Sequence, residues 1–306
     1  MTYGDSGDDG LSRSEGREAA REKAKALRDQ HRKKDRRGRA LLQGGLVVVV
    51  VAIVAGIALV VSQGIRPPSP GPMNMQSDGI TIGQKFAAVT SPALKPGETP
   101  TPSKKDTKDP KDAIAIQVYI DYQCPVCKSF ERANARQIAT WVTSGAATIE
   151  IHPISLLDRF SGDNKYSSRA ANAAGCVANY SPNAYFDFNA LLFENQPAEN
   201  SGGMSDGQII ALAKRTKITD LSAVESCITG QAFKSWVNAA SARATTGPIA
   251  STDVAKITST PTVIVNGVRY TGALNDSRAF AAAIATAAGD TFIQESTASP
   301  TPTPTP

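Results

Sequence analysis

The most reactive motif of the sequence is a pair of cysteines separated by two residues, Cys124-Pro125-Val126-Cys127. The pair follows a strand-like apolar run, residues 113–120, and opens a stretch with a helical pattern. Unpaired N–H groups and the dipole at a helix N-terminus stabilise a thiolate at the first cysteine. We therefore expect Cys124 to be an exposed nucleophile and Cys127, one turn deeper, to be the resolving thiol. Pro125 and Val126 form the active-site loop, and proline suits the first helical position because its missing N–H needs no partner there.

Two other chemistries are available to these cysteines. A zinc site would need a second close pair of ligands, but Cys176 and Cys227 stand far apart in the sequence. A Cys–His hydrolase would pair Cys124 with His152, but no motif supplies its oxyanion hole or orienting group. His152 is interpreted as a packed or hydrogen-bonded strand residue. Thiol–disulfide exchange needs neither metal nor cofactor, so none is expected.

Hydrophobic periodicity predicts the elements that position the cysteines. Strands are predicted at residues 113–120, 147–154, 262–265 and 268–270, with a short first strand at 79–83. Helical patterns cover residues 125–143, 165–179, 183–194, 205–215, 220–228, 231–244 and 277–288. The order is strand, helix, strand, helical block, hairpin, helix. It resembles the α/β thioredoxin-like fold, with a helical insertion at about 160–246 between the βαβ and ββα halves.

A second signature, Ser259-Thr260-Pro261, lies directly before a predicted strand. Proline cannot donate to a sheet ladder, so a proline that begins a strand needs a structural reason. In the thioredoxin-like fold the reason is a cis peptide bond packed against the active cysteines. The exposed backbone of Thr260 would then pair with an extended peptide. We therefore expect Thr260 and Pro261 to bind substrate.

The first 62 residues differ from the rest in charge and hydropathy. Residues 1–39 hold twelve Lys/Arg against eight Asp/Glu, which accounts for four of the net charges of +5, so a nucleic-acid-binding face on the remainder is not indicated. Residues 40–62 are uncharged and almost entirely apolar, with Gln43 as the one polar side chain before residue 62, and at about 30 Å they are long enough to form a transmembrane helix. A cleaved signal peptide is the alternative, which the long charged region before it disfavours. The positive-inside rule makes residues 1–39 a cytoplasmic tail and places the remainder outside the cell.

The segments after the anchor are predicted from composition. Residues 63–78 are a Pro-rich linker, residues 79–295 an extracytoplasmic domain, and residues 296–306 a disordered Thr/Pro tail. All four cysteines then lie in an oxidising compartment, where an even count suggests two bridges. Cys176 and Cys227 could be a second redox pair or a structural disulfide, and their wide spacing favours the structural disulfide.

The two motifs carry a resemblance to a known family. Asp121-Tyr122-Gln123-Cys124-Pro125-Val126-Cys127 and the segment around Thr260-Pro261 resemble DsbA-type thiol–disulfide oxidoreductases, in particular the membrane-anchored form of actinobacteria. The resemblance covers about residues 79–292. It implies a protein disulfide oxidoreductase that oxidises reduced exported proteins and is reoxidised by a membrane partner of the DsbB or VKOR type. It also implies a disulfide comparable to Cys176–Cys227.

Two positions depart from that family's pattern. Val126 stands where the strongest oxidant has a histidine that stabilises the thiolate, and Val118 stands where many members bury an acid. Asp121 is nearer to the cysteines but is expected to be exposed at a strand end. The reduction potential is therefore left open within about −270 to −120 mV. The alternative functions are a reductase or isomerase of the same fold and a redox-inert peptide-binding adaptor.

Overall fold

A computed structural model describes residues 69–102 and 113–297, together with scattered positions between 21 and 54. The chain divides into two compact units, residues 1–67 and 68–306. The predicted cytoplasmic tail, transmembrane helix and residues 298–306 of the predicted tail lie mostly or wholly outside the described residues. Among the described residues, none of the helices combines the length and the hydrophobicity needed to cross a lipid bilayer.

The second unit contains five strands and seven α-helices within the described residues. The strands are β1 Ile80–Ile82, β2 Ile114–Ile120, β3 Ala147–Pro153, β4 Thr262–Val265 and β5 Val268–Arg269. The helices are α1 Pro125–Ser144, α2 Tyr166–Tyr180, α3 Tyr185–Glu194, α4 Asp206–Ala213, α5 Leu221–Thr229, α6 Lys234–Thr246 and α7 Ser277–Thr297. Short 3₁₀ turns cover Gln84–Phe86, Asp158–Phe160, Gly162–Asn164 and Pro182–Ala184.

The strands form one mixed sheet in the order β1-β3-β2-β4-β5. β2 and β3 are parallel and α1 connects them, which makes the predicted βαβ unit. β4 lies antiparallel to β2, with Val263 opposite Val118, and β5 continues the hairpin. The sheet therefore brings the end of β2, which leads to Cys124, beside the start of β4, which follows Pro261. α2 to α6 form the helical block between β3 and β4, as the sequence predicts.

Helix α1 begins and ends for identifiable local reasons. Cys124 is its N-cap and Pro125 occupies the first turn, while Gly145 ends the helix with a left-handed φ of 82°. Its buried positions are Cys127, Phe130, Asn134, Ile138 and Val142. This spacing of three to four residues packs one face of the helix onto the sheet.

The N-terminal boundary of the domain differs from the sequence prediction. Residues 71–78 of the predicted linker pack against the domain, and Met75 is completely buried. Arg243 holds the Asp78 carboxylate with two hydrogen bonds of 2.7 Å, and the Trp236 indole donates a third. A buried carboxylate needs such partners, and both come from α6, far away in the sequence. The fold therefore begins before residue 79.

Candidate active site

Cys124 lies at the point where β2 turns into helix α1. Its sulfur accepts a hydrogen bond from the Cys127 N–H at 3.4 Å, so the side chain itself caps the helix. The same sulfur lies 3.2 Å from the Thr260 carbonyl oxygen. The predicted exposure of Cys124 is wrong in degree, because only 5% of the residue is accessible. Pro125 and Val126 beside it are exposed, Val126 by 48%.

The surroundings of Cys124 favour its thiolate. Hydrogen bonding from the Cys127 thiol is the largest influence, and it lowers the pKa of Cys124 to about 6 from 9.0. Burial opposes this fall in pKa, whereas the Thr260 side chain and the N–H groups of Val126 and Cys127 reinforce it. Two of these donors are N–H groups at a helix N-terminus, which commonly lower a cysteine pKa.

Cys127 has the opposite chemistry. It is completely buried, and burial raises the pKa of its thiol well above 9.0. Both cysteines are in the reduced form here. One thiol ionises readily and its neighbour keeps its proton, which is the arrangement expected of a nucleophile and a resolving cysteine.

The Thr260–Pro261 peptide bond is cis, as the sequence predicts. Pro261 is buried and Thr260 is half-buried, so residue 260 stays partly accessible beside the buried proline. The 3.2 Å approach of its carbonyl to Cys124 joins the two sequence motifs into one site, although they stand 136 residues apart.

The other predicted residues lie away from this contact. Cys176 and Cys227 form a disulfide between α2 and α5, as the sequence predicts. Val118 is 2% exposed in the middle of β2, so this buried position holds an apolar side chain and not an acid. His152 is 3% exposed and stacks on the Tyr119 ring with 4.2 Å between centroids. This agrees with the interpretation of His152 as a packed residue.

The predicted exposure of Asp121 at a strand end is wrong. The residue is completely buried, not exposed, and burial is the largest influence on its pKa, which is raised. Its carboxylate accepts hydrogen bonds from four donors in three segments of the chain, and these bonds oppose the rise in pKa. These partners compensate the burial of a charge that a strand end alone would leave in water.

Two further contacts at the site were not found from the sequence. Gln196, beyond the end of α3, donates to the backbone oxygens of Tyr122 and Cys124, each at 2.9 Å. The Tyr122 hydroxyl donates to Asn189, and Asn189 in turn donates to Glu131 on α1. No local pattern marks these polar residues, because each contact joins the helical block to the active-site turn or to α1 across a long stretch of sequence.

Comparison with known proteins identifies the family. A family model described as thioredoxin matches residues 109–285. The chain belongs to this thioredoxin family. Among solved structures, it is similar to the reduced form of the disulfide bond oxidoreductase DsbG of Mycobacterium tuberculosis, with 28% identity and a TM-score of 0.53. That similarity covers 74% of this chain and 96% of the other.

Oxidised DsbA of M. tuberculosis is similar at 28% identity and a TM-score of 0.51, over 72% of this chain and 100% of that protein. The predicted resemblance to DsbA-type oxidoreductases is confirmed by these matches within the thioredoxin family. Among curated proteins, the serine/threonine-protein kinase PknE of M. tuberculosis is 34% identical over 103 residues. That stretch covers 32% of this chain and only 18% of the kinase.

Proposed function

We propose that this thioredoxin-family protein is an extracytoplasmic oxidase that forms disulfides in exported proteins. The observation that carries the proposal is the pairing of a low-pKa thiol, Cys124, with a buried high-pKa thiol, Cys127, beside the cis Thr260–Pro261 bond. The similarity to a DsbA and a DsbG supports the same chemistry.

The reaction starts from the oxidised enzyme, in which Cys124 and Cys127 share a disulfide. A substrate thiolate attacks the Cys124 sulfur, the bond between the two cysteines breaks, and Cys127 leaves with the electron pair and takes up a proton. A second substrate thiolate attacks the substrate sulfur of the mixed disulfide and releases Cys124 as a thiolate. The substrate gains one disulfide, and the enzyme has accepted two electrons.

The two thiol pKa values favour this direction. Cys124 is a good leaving group because its thiolate is stable at neutral pH, whereas a high pKa keeps Cys127 protonated once it has left. A pKa of about 6 for Cys124 lies between the roughly 7 of thioredoxin and the roughly 3.5 of the strong oxidant DsbA. We therefore expect a reduction potential inside the interval of about −270 to −120 mV.

Thr260 and Pro261 supply the docking edge for an extended substrate segment, because backbone pairing is independent of side-chain sequence. Reoxidation then falls to a membrane partner of the DsbB or VKOR type, which removes the two electrons from the reduced cysteines. The predicted helix at residues 40–62 would keep the domain close to that partner and to the lipid bilayer, with the N-terminus cytoplasmic.

The oxidase activity is tested with the purified full-length chain in its oxidised form and a reduced, unfolded protein that regains activity only after disulfide formation. We expect stoichiometric recovery, abolished by Cys124→Ser and retained by Thr140→Ala, an exposed position in the second half of the same helix. Failure to oxidise the protein, with efficient reduction of disulfides instead, would identify a reductase. A Cys124→Ser variant that keeps the function of the wild-type protein in cells would identify a redox-inert adaptor.

The location is tested separately in intact cells. After mild reduction, a membrane-impermeant maleimide should label Cys124 in whole cells, with Cys124→Ser as the control for specificity. Labelling that appears only after lysis would contradict the extracytoplasmic placement without affecting the exchange chemistry.

A further inference from the structure

The turn between β2 and α1 is enclosed by the rest of the domain. Asp121, Tyr122 and Gln123 are each completely buried, although Pro125 and Val126, which follow Cys124, are exposed. A buried turn retains its position only if its polar groups find partners within the protein. The side chain of Asp121 supplies four of these contacts.

The two oxygens of the Asp121 carboxylate serve different segments. Oδ1 accepts hydrogen bonds from the Gln123 N–H at 2.8 Å and from the Ser167 hydroxyl at 2.7 Å. Oδ2 accepts from the N–H groups of Leu156 and Leu157 at 2.7 and 2.9 Å. One carboxylate therefore joins the active-site turn to the segment after β3 and to the first turn of α2.

The backbone of Asp121 contacts the two reactive residues. Its carbonyl oxygen accepts the Cys124 N–H at 2.9 Å. Its own N–H forms a hydrogen bond that lowers the pKa of Cys127 against the effect of burial. A small displacement of residue 121 would consequently change the surroundings of both sulfurs.

This geometry distinguishes two roles for a buried acid beside a redox centre. A direct proton relay needs a carboxylate oxygen directed at the resolving thiol. The hydrogen bonds of this carboxylate go instead to Gln123, Leu156, Leu157 and Ser167. Three of those donors are backbone N–H groups, which cannot accept a hydrogen bond from the carboxyl group when it gains a proton.

We propose that Asp121 is a positioning residue whose carboxylate fixes the turn before Cys124 and thereby sets the thiolate stability and redox poise of the Cys124–Cys127 pair. The inference rests on the proposed exchange chemistry at these cysteines. It makes the poise depend on a contact with the helical block, through Ser167, as well as on the motif itself.

The test uses the full-length chain and three variants. Asp121→Asn retains the shape but presents an NH₂ group to one of the two pairs of donors. Ser167→Ala removes only the hydroxyl donor. Ser168→Ala is the matched control, because this neighbouring hydroxyl on the same helix donates to Asp158 and not to Asp121.

The first measurement is the pH dependence of Cys124 alkylation, and the second is the dithiol–disulfide equilibrium with glutathione. In Asp121→Asn we expect the Cys124 pKa to rise by one unit or more, which lowers the thiolate fraction at pH 6 about fivefold, and the equilibrium to shift towards the oxidised enzyme. Ser167→Ala should move both quantities in the same direction by less, and Ser168→Ala should leave them at wild-type values.

A folded Asp121→Asn with wild-type pKa and equilibrium would overturn the inference, and so would one in which only the rate of the Cys127 resolving step falls, because that result describes a relay. If Asp121→Asn does not fold, the comparison of Ser167→Ala with Ser168→Ala decides, and identical values overturn the inference. Wild-type protein that exchanges no disulfide with glutathione would instead refute the proposed function, while the alkylation profiles still report on Asp121.

Discussion

Replacing both Cys176 and Cys227 with alanine should lower the free energy of unfolding by about 4 kcal/mol. The disulfide spans a sequence separation of 51 residues. A loop of that size gives a chain-entropy term of about 14 cal/mol/K, which is about 4 kcal/mol at 25 °C. For a domain of this size, such a loss corresponds to a fall in melting temperature of about 8–16 °C.

The location of the disulfide explains why nearly the whole predicted loss of unfolding free energy is expected. Cys176 is 0% and Cys227 5% exposed, and the helices that carry them, α2 and α5, pack against each other within the core. The bridge therefore closes its loop inside a packed region and not across a mobile surface segment. Alanine at both positions also avoids leaving a free thiol that could exchange with the active pair.

The assay is urea unfolding of the full chain, followed by the fluorescence of Trp141 and Trp236, both of which lie in the domain. Both proteins should carry Ser at positions 124 and 127, so that the redox state of the active pair does not contribute. A loss below about 1 kcal/mol would refute the structural role. Separately, with positions 124 and 127 restored, loss of oxidase turnover by the folded Cys176/Cys227 double variant would indicate a second redox pair.

Three further predictions concern charges near the active site. The alkylation rate of Cys124 should rise with a midpoint near pH 6, because its pKa is lowered to about 6, and a midpoint above pH 8 would contradict the hydrogen-bonded geometry. Burial raises the pKa of Glu131 from 4.5 to about 7, so the folded state binds this proton more tightly than the unfolded state. The free energy of unfolding should accordingly fall as pH rises from about 4.5 to 7. In urea titrations, Glu131→Gln should remove this part of the decline. An unchanged decline would show that Glu131 is not its source. Val126→His places an imidazolium beside the thiolate, so it should lower the Cys124 pKa and raise the reduction potential. The potential is measured against glutathione. An unchanged potential would show that the exposed position 126 lies too far from the sulfur.

The local parts of the site were predictable because their signals are short-range. Pro125 after a strand marks the first turn of a helix, which places Cys124 at the N-cap. The cis bond at Thr260–Pro261 was predicted from the proline before β4 together with the strand–CxxC–helix unit far upstream, and the proline alone would not have predicted it. The helix periodicity of the insertion was sufficient to place each helix within a few residues of its observed bounds.

The burial of Asp121 could not be predicted in the same way. An acid that follows a strand is ordinarily exposed, and three of its four donors, Leu156, Leu157 and Ser167, are 35 to 46 positions away in the sequence. The same limit applies to Asn134, which is polar in an inward helical position and is buried because its amide donates to Phe130 and Leu274 oxygens. Hydropathy alone assigns such residues to the surface.

The low pKa of Cys124 arises from hydrogen bonds: a thiol, a hydroxyl and helix N–H groups lower it. Val126 and Val118 occupy the positions where a charge could otherwise contribute. Hydrogen bonds weaken steeply with distance and angle, whereas the effect of a charge falls off gradually. The redox poise of this site should therefore respond strongly to changes that shift the turn, such as those at Asp121.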